Sequence, residues 1–265
     1  MHRKMGAGMK VVILCGGKGT RMREETEFRP KPLVEVGENP IIWHIMKTYS
    51  YYGINDFILC VGYKGDMIKR YFMEMRWRNN DFTVKMGTQE AVEYHTAGEE
   101  DWNVTVVDTG AETQTGGRIK QIEKYIGDDE DFMLTYGDGL SDVNIRKLYV
   151  YHKNTGKIAT LTGVSPNSPF GVIETQDGIV TAFKEKPVLE DTINGGYMVL
   201  NRRVFEYLPV EDCAFEQEPL HRLALDHELA VYRHGGFWTA IDTYKDVEKV
   251  NMLWKTGETP WKKWK

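Results

Sequence analysis

Near its start the chain reads KVVILCGGKGTRMREETEFRPKPLVEVG, and this stretch limits the possible folds more than any other. Val11 to Leu14 is an apolar, β-branched run that reads as a buried strand, and it breaks off into glycines. A strand that ends this way in an α/β chain places backbone N–H groups beside phosphate. Two familiar phosphate loops do not fit. A P-loop requires GxxxxGK[ST], a string that does not occur, and a dinucleotide fingerprint requires a small third residue in GxGxxG. Here Gly17-Lys18-Gly19 is followed by Thr20, Arg21 and then Met22. What remains is a glycine turn with a hydroxyl, backbone donors and a guanidinium, which together can hold the β- and γ-phosphates of a nucleoside triphosphate. Lys31 follows between Pro30 and Pro32, which restrict the backbone and lower the entropy cost of presenting a long cation. Arg21 and Lys31 as plain surface charges is the competing reading, and RPKP weighs against it.

Apolar runs alternate with helical patterns through the first half: KVVILC, PIIWHIMKTYSYYG, DFILCVG, DMIKRYFMEM, then VTVVDTG and DFMLTYGDG. Such alternation predicts βαβ units and a mainly parallel, Rossmann-like mixed sheet flanked by helices. In the helix beginning near Pro40, Ile41, Ile45 and Thr48 or Tyr49 share one face, and Gly53 closes it. The second half has shorter strands in KIATLTGV, FGVIET, GIVTAFKEKP and GGYMVLN, with a TQDG hairpin turn, and predicts a β-rich insertion. A last helix, TYKDVEKVNMLWKTG, precedes the tail TPWKKWK, read as a packing or subunit contact. We expect one domain over residues 1–265, with 1–8 a loose leader, 9–140 mainly nucleotide-binding, and 141–265 mainly sugar-phosphate-binding and assembly.

The net charge of -5 and the mixed acids and bases provide no basic stripe for a nucleic-acid backbone. No apolar stretch approaches the roughly 20 residues of a membrane span. Cys15, Cys60 and Cys213 lie far apart without metal-ligand spacing, which reads as reduced thiols in a cytoplasmic protein. His44, His95, His152, His221, His227 and His234 stand singly and read as core or surface residues.

LCGGKGTRM followed by RPKPLVEVG resembles the signature of the sugar-1-phosphate nucleotidylyltransferases, with Cys15 where alanine is common and Met22 where leucine is common. The resemblance continues through WNVTVVDTGAETQTGGRIK, YGDGLSD, FKEKP, INGGYMVLN, EQEPL and GFW…IDT, and covers nearly the whole chain from Met9. VDTG…TGGR with EQEPL favours the cytidylyl branch, which implies CTP and glucose 1-phosphate as substrates, Mg²⁺ as cofactor and a homo-oligomer. The residues alone leave UTP, dTTP or another sugar 1-phosphate open, and also a binding protein without turnover.

Asp138, in YGDGLSD, follows an apolar strand where α/β sheets gather ligands, yet a lone Asp there is as often a turn former. Asp242 resembles the family's second metal-ligand aspartate, and two carboxylates with phosphate oxygens and water suit Mg²⁺. Asp142 reads as the cap of the helix VNIRKLYVYH. By resemblance Arg21, Lys31, Asp138 and Asp242 are catalytic. Leu14, Gly16, Gly17, Gly19 and Thr20, with Thr115, Gly116, Gly117 and Arg118 for the base, join them in holding the nucleotide. Gly171, Glu185, Lys186, Asn194, Gly195 and Trp238 hold the sugar phosphate, with Trp238 either covering the sugar ring or merely packing. The sugar phosphate would attack the α-phosphorus as an anion, so no strong general base is needed and catalysis is positioning and electrostatics.

Overall fold

The computed structural model describes residues 8–86, 91–95, 100–168 and 170–264. Seven strands form the central sheet: β1 (Lys10–Cys15), β2 (Asp56–Val61), β3 (Asn103–Asp108), β4 (Asp131–Tyr136), β5 (Ala159–Val164), β6 (Ile193–Asn201) and β7 (Leu229–His234). Their order is β7-β5-β6-β4-β1-β2-β3. β6 pairs antiparallel with both β4 and β5, while every other neighbouring pair is parallel. The mainly parallel mixed sheet is therefore present.

Burial explains why β1 is apolar throughout. Val11, Ile13 and Cys15 face one core and Val12 and Leu14 the other, because successive side chains of a strand point to opposite faces. The first core is closed by α1 (Ile41–Tyr51), α4 (Ile145–Thr155) and α6 (Tyr244–Thr256), with α2 (Gly65–Arg78) alongside. The second is closed by α3 (Thr115–Gln121), α5 (Glu218–Leu225) and the turn at 202–207. Ile41, Ile45, Thr48 and Tyr49 are all buried along α1, and Gly53 follows with a φ of 82°, as the periodicity requires. α6 starts in a capping box, with the Thr243 hydroxyl and the Asp246 carboxylate bonded to each other's backbone N–H.

The chain runs β1, β2, β3 outward on one side and then returns to place β4 on the other side of β1. That reversal opens a crevice at the C-terminal ends of β1 and β4, the usual ligand position in an open α/β sheet. Between β5 and β6 the chain leaves the sheet at Val164 and rejoins it opposite, at Ile193. The described residues between them form a flap built on the hairpin Val172–Gln176 and Ile179–Lys184, turned by Asp177 and Gly178, both with positive φ. The β-rich insertion is this flap.

One assignment changes. Asp142 does not cap α4; the Asn144 side chain accepts from the Lys147 N–H there, since it sits directly before Ile145. Asp142 instead places a carboxylate oxygen 2.9 Å from His234 Nε2. The aromatic tail packs: Trp261 is fully buried, and its indole N–H donates to His44 Nδ1 at 3.5 Å. His44 gives its other ring nitrogen to the Val36 carbonyl at 2.8 Å and meets the rings of Trp43, Trp254 and Trp264. Burial drives its pKa down to about 4.

Candidate active site

The loop after β1 is shaped by what lies beneath it. Gly16 is buried against the Arg118 guanidinium, and a Cβ there would fall 2.0 Å from Nη1. Arg118 is 4% exposed and donates to the carbonyls of Gly16, Val61 and Gly110 and to the Thr109 hydroxyl, at 3.0, 3.2, 2.9 and 2.6 Å. These bonds tie the opening loop to the ends of β2 and β3, and Arg118 also lines the crevice above it. Gly19 has a φ of 60°, and its carbonyl accepts from Met22 N–H and the Thr26 hydroxyl, which winds Thr20–Met22 into a single tight turn. Met22 is buried, and Arg21, one residue earlier, is thereby left exposed.

Pro32 is buried under the crevice, and Pro30 is extended, so Lys31 leaves the backbone pointing at the sheet edge. Its ammonium lies between two carboxylates, 2.7 Å from Asp138 Oδ2 and 2.6 Å from Asp242 Oδ1. Arg21 Nη1 reaches Asp242 Oδ2 at 3.2 Å. Burial alone would lower the Lys31 pKa, but the two carboxylates outweigh it and raise it. Burial pushes the Asp242 carboxyl upward; the hydrogen bond and charge of Lys31, aided by Arg21, hold it below the ordinary value.

The two aspartates flank the same end of one small ladder, one on each strand. Gly139–Ser141 pairs antiparallel with Trp238–Ala240, and Ile241 N–H donates to the Asp138 carbonyl at 2.9 Å. Sequence positions 138 and 242 are thus held together by backbone. Two oxygen-only ligands converge on one cation position, with about a third of each side chain open to water and phosphate. That donor set fits Mg²⁺, which commonly takes one or two carboxylates and fills the rest with water and substrate oxygens. Among the described residues no cluster of three or more His, Cys, Asp or Glu offers an all-protein cage.

Two cavities meet over this floor. One, of about 410 Å³, is lined by Leu14, Gly16, Gly17, Thr113, Thr115 and Ala214. The other, of about 510 Å³, is lined by Thr20, Arg21, Asn194, Gly195, Trp238 and Asp242. Gly19, Lys31, Tyr136, Asp138 and Glu216 line both. Trp238 does two things at once: its indole N–H donates to the Gly195 carbonyl at 2.7 Å, and its ring forms cavity wall.

Not all sequence candidates gather here. The N–H groups of Gly116 and Gly117 donate to the Cys213 carbonyl, and an added Cβ would strike Cys213 or Asp212, so these glycines admit the crossing segment 212–215. Gly171, Glu185 and Lys186 stand on the flap, outside both cavities; Lys186 is 3.5 Å from Glu185, and both are exposed. Conversely, Tyr136 and Glu216 were not assigned a role from sequence. Tyr136 sits directly before Gly137-Asp138, and Glu216 opens EQEPL, so both were signalled by neighbours.

The model of the family described as "Nucleotidyl transferase" matches residues 10–257. The chain belongs to the nucleotidyl transferase family. It is 52% identical over 258 residues to the "Probable glucose-1-phosphate cytidylyltransferase" of Bacillus subtilis, covering 97% of this chain and 100% of that protein. It is 48% identical over 257 residues to the glucose-1-phosphate cytidylyltransferase of Salmonella typhi, again covering 97% and 100%. The solved structure of HddC from Yersinia pseudotuberculosis superposes with a TM-score of 0.67 at 21% identity, covering 93% of this chain and 99% of that one, which supports the fold. No helix among the described residues of this nucleotidyl transferase is long and apolar enough to cross a membrane.

Proposed function

We propose that this enzyme transfers a cytidylyl group from CTP to α-D-glucose 1-phosphate, giving CDP-glucose and pyrophosphate. The names of its relatives supply the substrate pair, and one observation carries the chemistry: Lys31 bridges Asp138 and Asp242 where the two cavities join. The triphosphate lies over the glycine loop, with its base toward Thr113 and Thr115 and its phosphates toward Lys31. Glucose 1-phosphate enters from the side of Asn194, Gly195 and Trp238. Its phosphate oxygen attacks the α-phosphorus, the bond to the β-phosphate bridge breaks, and pyrophosphate takes the electron pair. The nucleophile is already anionic, so the protein supplies alignment and positive charge rather than a base. Arg21 and Lys31 offset the repulsion between two polyanions. Asp138 and Asp242 would hold Mg²⁺, which would polarise the α-phosphate and offset charge on the departing pyrophosphate.

Glu185 and Lys186 act from the flap. It springs from the rim of the sugar cavity, where Gly163 pairs with Asn194, and closure brings Lys186 to the sugar phosphate and Glu185 to sugar hydroxyls. The same resemblance implies a cytoplasmic homo-oligomer serving surface-sugar synthesis, which light scattering of the purified protein tests for assembly.

The decisive assay is pyrophosphate release with Mg²⁺ and glucose 1-phosphate across CTP, UTP, dTTP, ATP and GTP, with the nucleotide sugar confirmed by mass. CTP is the preferred donor on this reading; preference for another overturns the donor assignment. Asp242→Asn lowers turnover by about a thousandfold or more while the fold persists. Near-normal Mg²⁺-dependent rates in that variant overturn the metal role.

A further inference from the structure

The wall between the two cavities is a chain of side-chain hydrogen bonds. The Phe215 N–H donates to Thr115 Oγ1 at 2.8 Å, and the Thr115 hydroxyl donates to Glu216 Oε2 at 2.6 Å. The other oxygen of Glu216 accepts from the Tyr136 hydroxyl. Tyr136 in turn faces the Asn194 amide nitrogen at 3.5 Å, and that amide is oriented because its oxygen accepts from Gly196 N–H at 2.9 Å. The chain therefore begins at Thr115, in the nucleotide cavity, and ends at Asn194, in the sugar cavity, with Tyr136 and Glu216 lining both.

Its anchors are firm where its links are open. Phe215 is fully buried in the second core, and Gly196 has a φ of 80° with Tyr136 packed where a Cβ would be. The Glu216 carboxylate, by contrast, is exposed toward the cleft. A carboxylate that accepts from both hydroxyls ties Thr115 and Tyr136 to one exposed side chain, so the position that Glu216 takes at one end limits the position open to the other. A ligand that fixes one end of such a chain reduces the freedom left for the second ligand to remove, which makes binding at the two ends mutually favourable.

We propose that Glu216, through Thr115 and Tyr136, is a positioning residue that couples occupancy of the nucleotide cavity to occupancy of the sugar-phosphate cavity. This rests on the two-cavity reading given above. The reaction needs both substrates at once, and coupling favours the complex in which both are present.

The test uses full-length protein with Mg²⁺, α,β-methylene-CTP as a probe that cannot react, and glucose 1-phosphate. Calorimetry gives the affinity of the probe with and without saturating glucose 1-phosphate. In the wild type, glucose 1-phosphate tightens the probe about fivefold or more, within the usual range of coupling between sites. Glu216→Gln, whose amide offers one acceptor where two are needed, and Tyr136→Phe reduce that factor to within about twofold. Thr115→Ser keeps the hydroxyl and keeps the coupling; Thr115→Val loses it. An uncoupled wild type, or unchanged coupling in Glu216→Gln and Tyr136→Phe, overturns the proposal. Pyrophosphate release by the wild type is run beside it: turnover without coupling rejects only this inference, whereas no turnover with any triphosphate rejects the function itself.

Discussion

Replacing Lys31 by methionine should do two opposite things. The ammonium sits 2.7 and 2.6 Å from two carboxylates, and at an effective dielectric of about 20 each contact is worth roughly 6 kcal/mol of gross attraction. Asp138 and Asp242 are about a third exposed, so solvent screens most of this, and the net worth is nearer that of a charge-assisted hydrogen bond, about 1.5–3 kcal/mol. In the free enzyme that energy opposes a divalent cation, because the ammonium holds the same oxygens. Lys31→Met therefore binds Mn²⁺ about tenfold to a hundredfold more tightly than the wild type in the absence of nucleotide. Turnover nonetheless falls by about a thousandfold or more, because a cation facing the triphosphate has gone. Mn²⁺ affinity is read from the free-ion electron paramagnetic resonance signal, and turnover from pyrophosphate release. Unchanged or weaker Mn²⁺ binding in Lys31→Met would refute the claim that ammonium and metal compete for the two aspartates.

Gly16→Ala drives a Cβ into the buried Arg118 guanidinium and costs about 3 kcal/mol by urea denaturation, whereas Gly17→Ala, with no atom within 4 Å of its Cβ, costs under about 1 kcal/mol. Equal losses would contradict the strut role of Arg118. His44 has its pKa lowered to about 4 by burial, so the unfolded chain takes up a proton near pH 6.5 that the folded chain refuses. The corresponding stability is complete above about pH 6.5 and is lost as pH falls toward 4, to a limit of about 3 kcal/mol. Denaturation followed by tryptophan fluorescence should show a shallower pH slope in His44→Gln; matching slopes would disprove it. Lys186→Ala raises the apparent KM for glucose 1-phosphate about tenfold or more and leaves α,β-methylene-CTP affinity unchanged; an unaltered KM would remove Lys186 from the sugar-phosphate site.

What could be read from the sequence was whatever a local pattern determines. The β1 run, the glycine loop and α1 announce themselves because burial on both sheet faces, a φ near 60° at Gly19 and a helical stripe each leave a mark within a few residues. The loop-tying bonds of Arg118 were not legible because its partners, Gly16, Val61 and Gly110, lie up to 102 positions away and meet it only at the folded sheet edge. Glu216 escaped for the same reason: its bonds to Thr115 and Tyr136 span 101 and 80 positions. Asp142 failed as a cap because Asn144, two residues later, stands at the helix start. The short aspartate ladder is equally invisible to spacing, since Asp138 and Asp242 meet through the pairing of three residues with three.

The flap enters and leaves the sheet at paired positions, Val164 and Ile193, so its length and composition can change while those two strand ends stay in register. Ile173, Ile179, Val180 and Phe183 are all exposed on it and belong to neither core. Mutations there are consequently cheap in folding terms, so this loop can diverge in sequence while the machinery beneath drifts hardly at all.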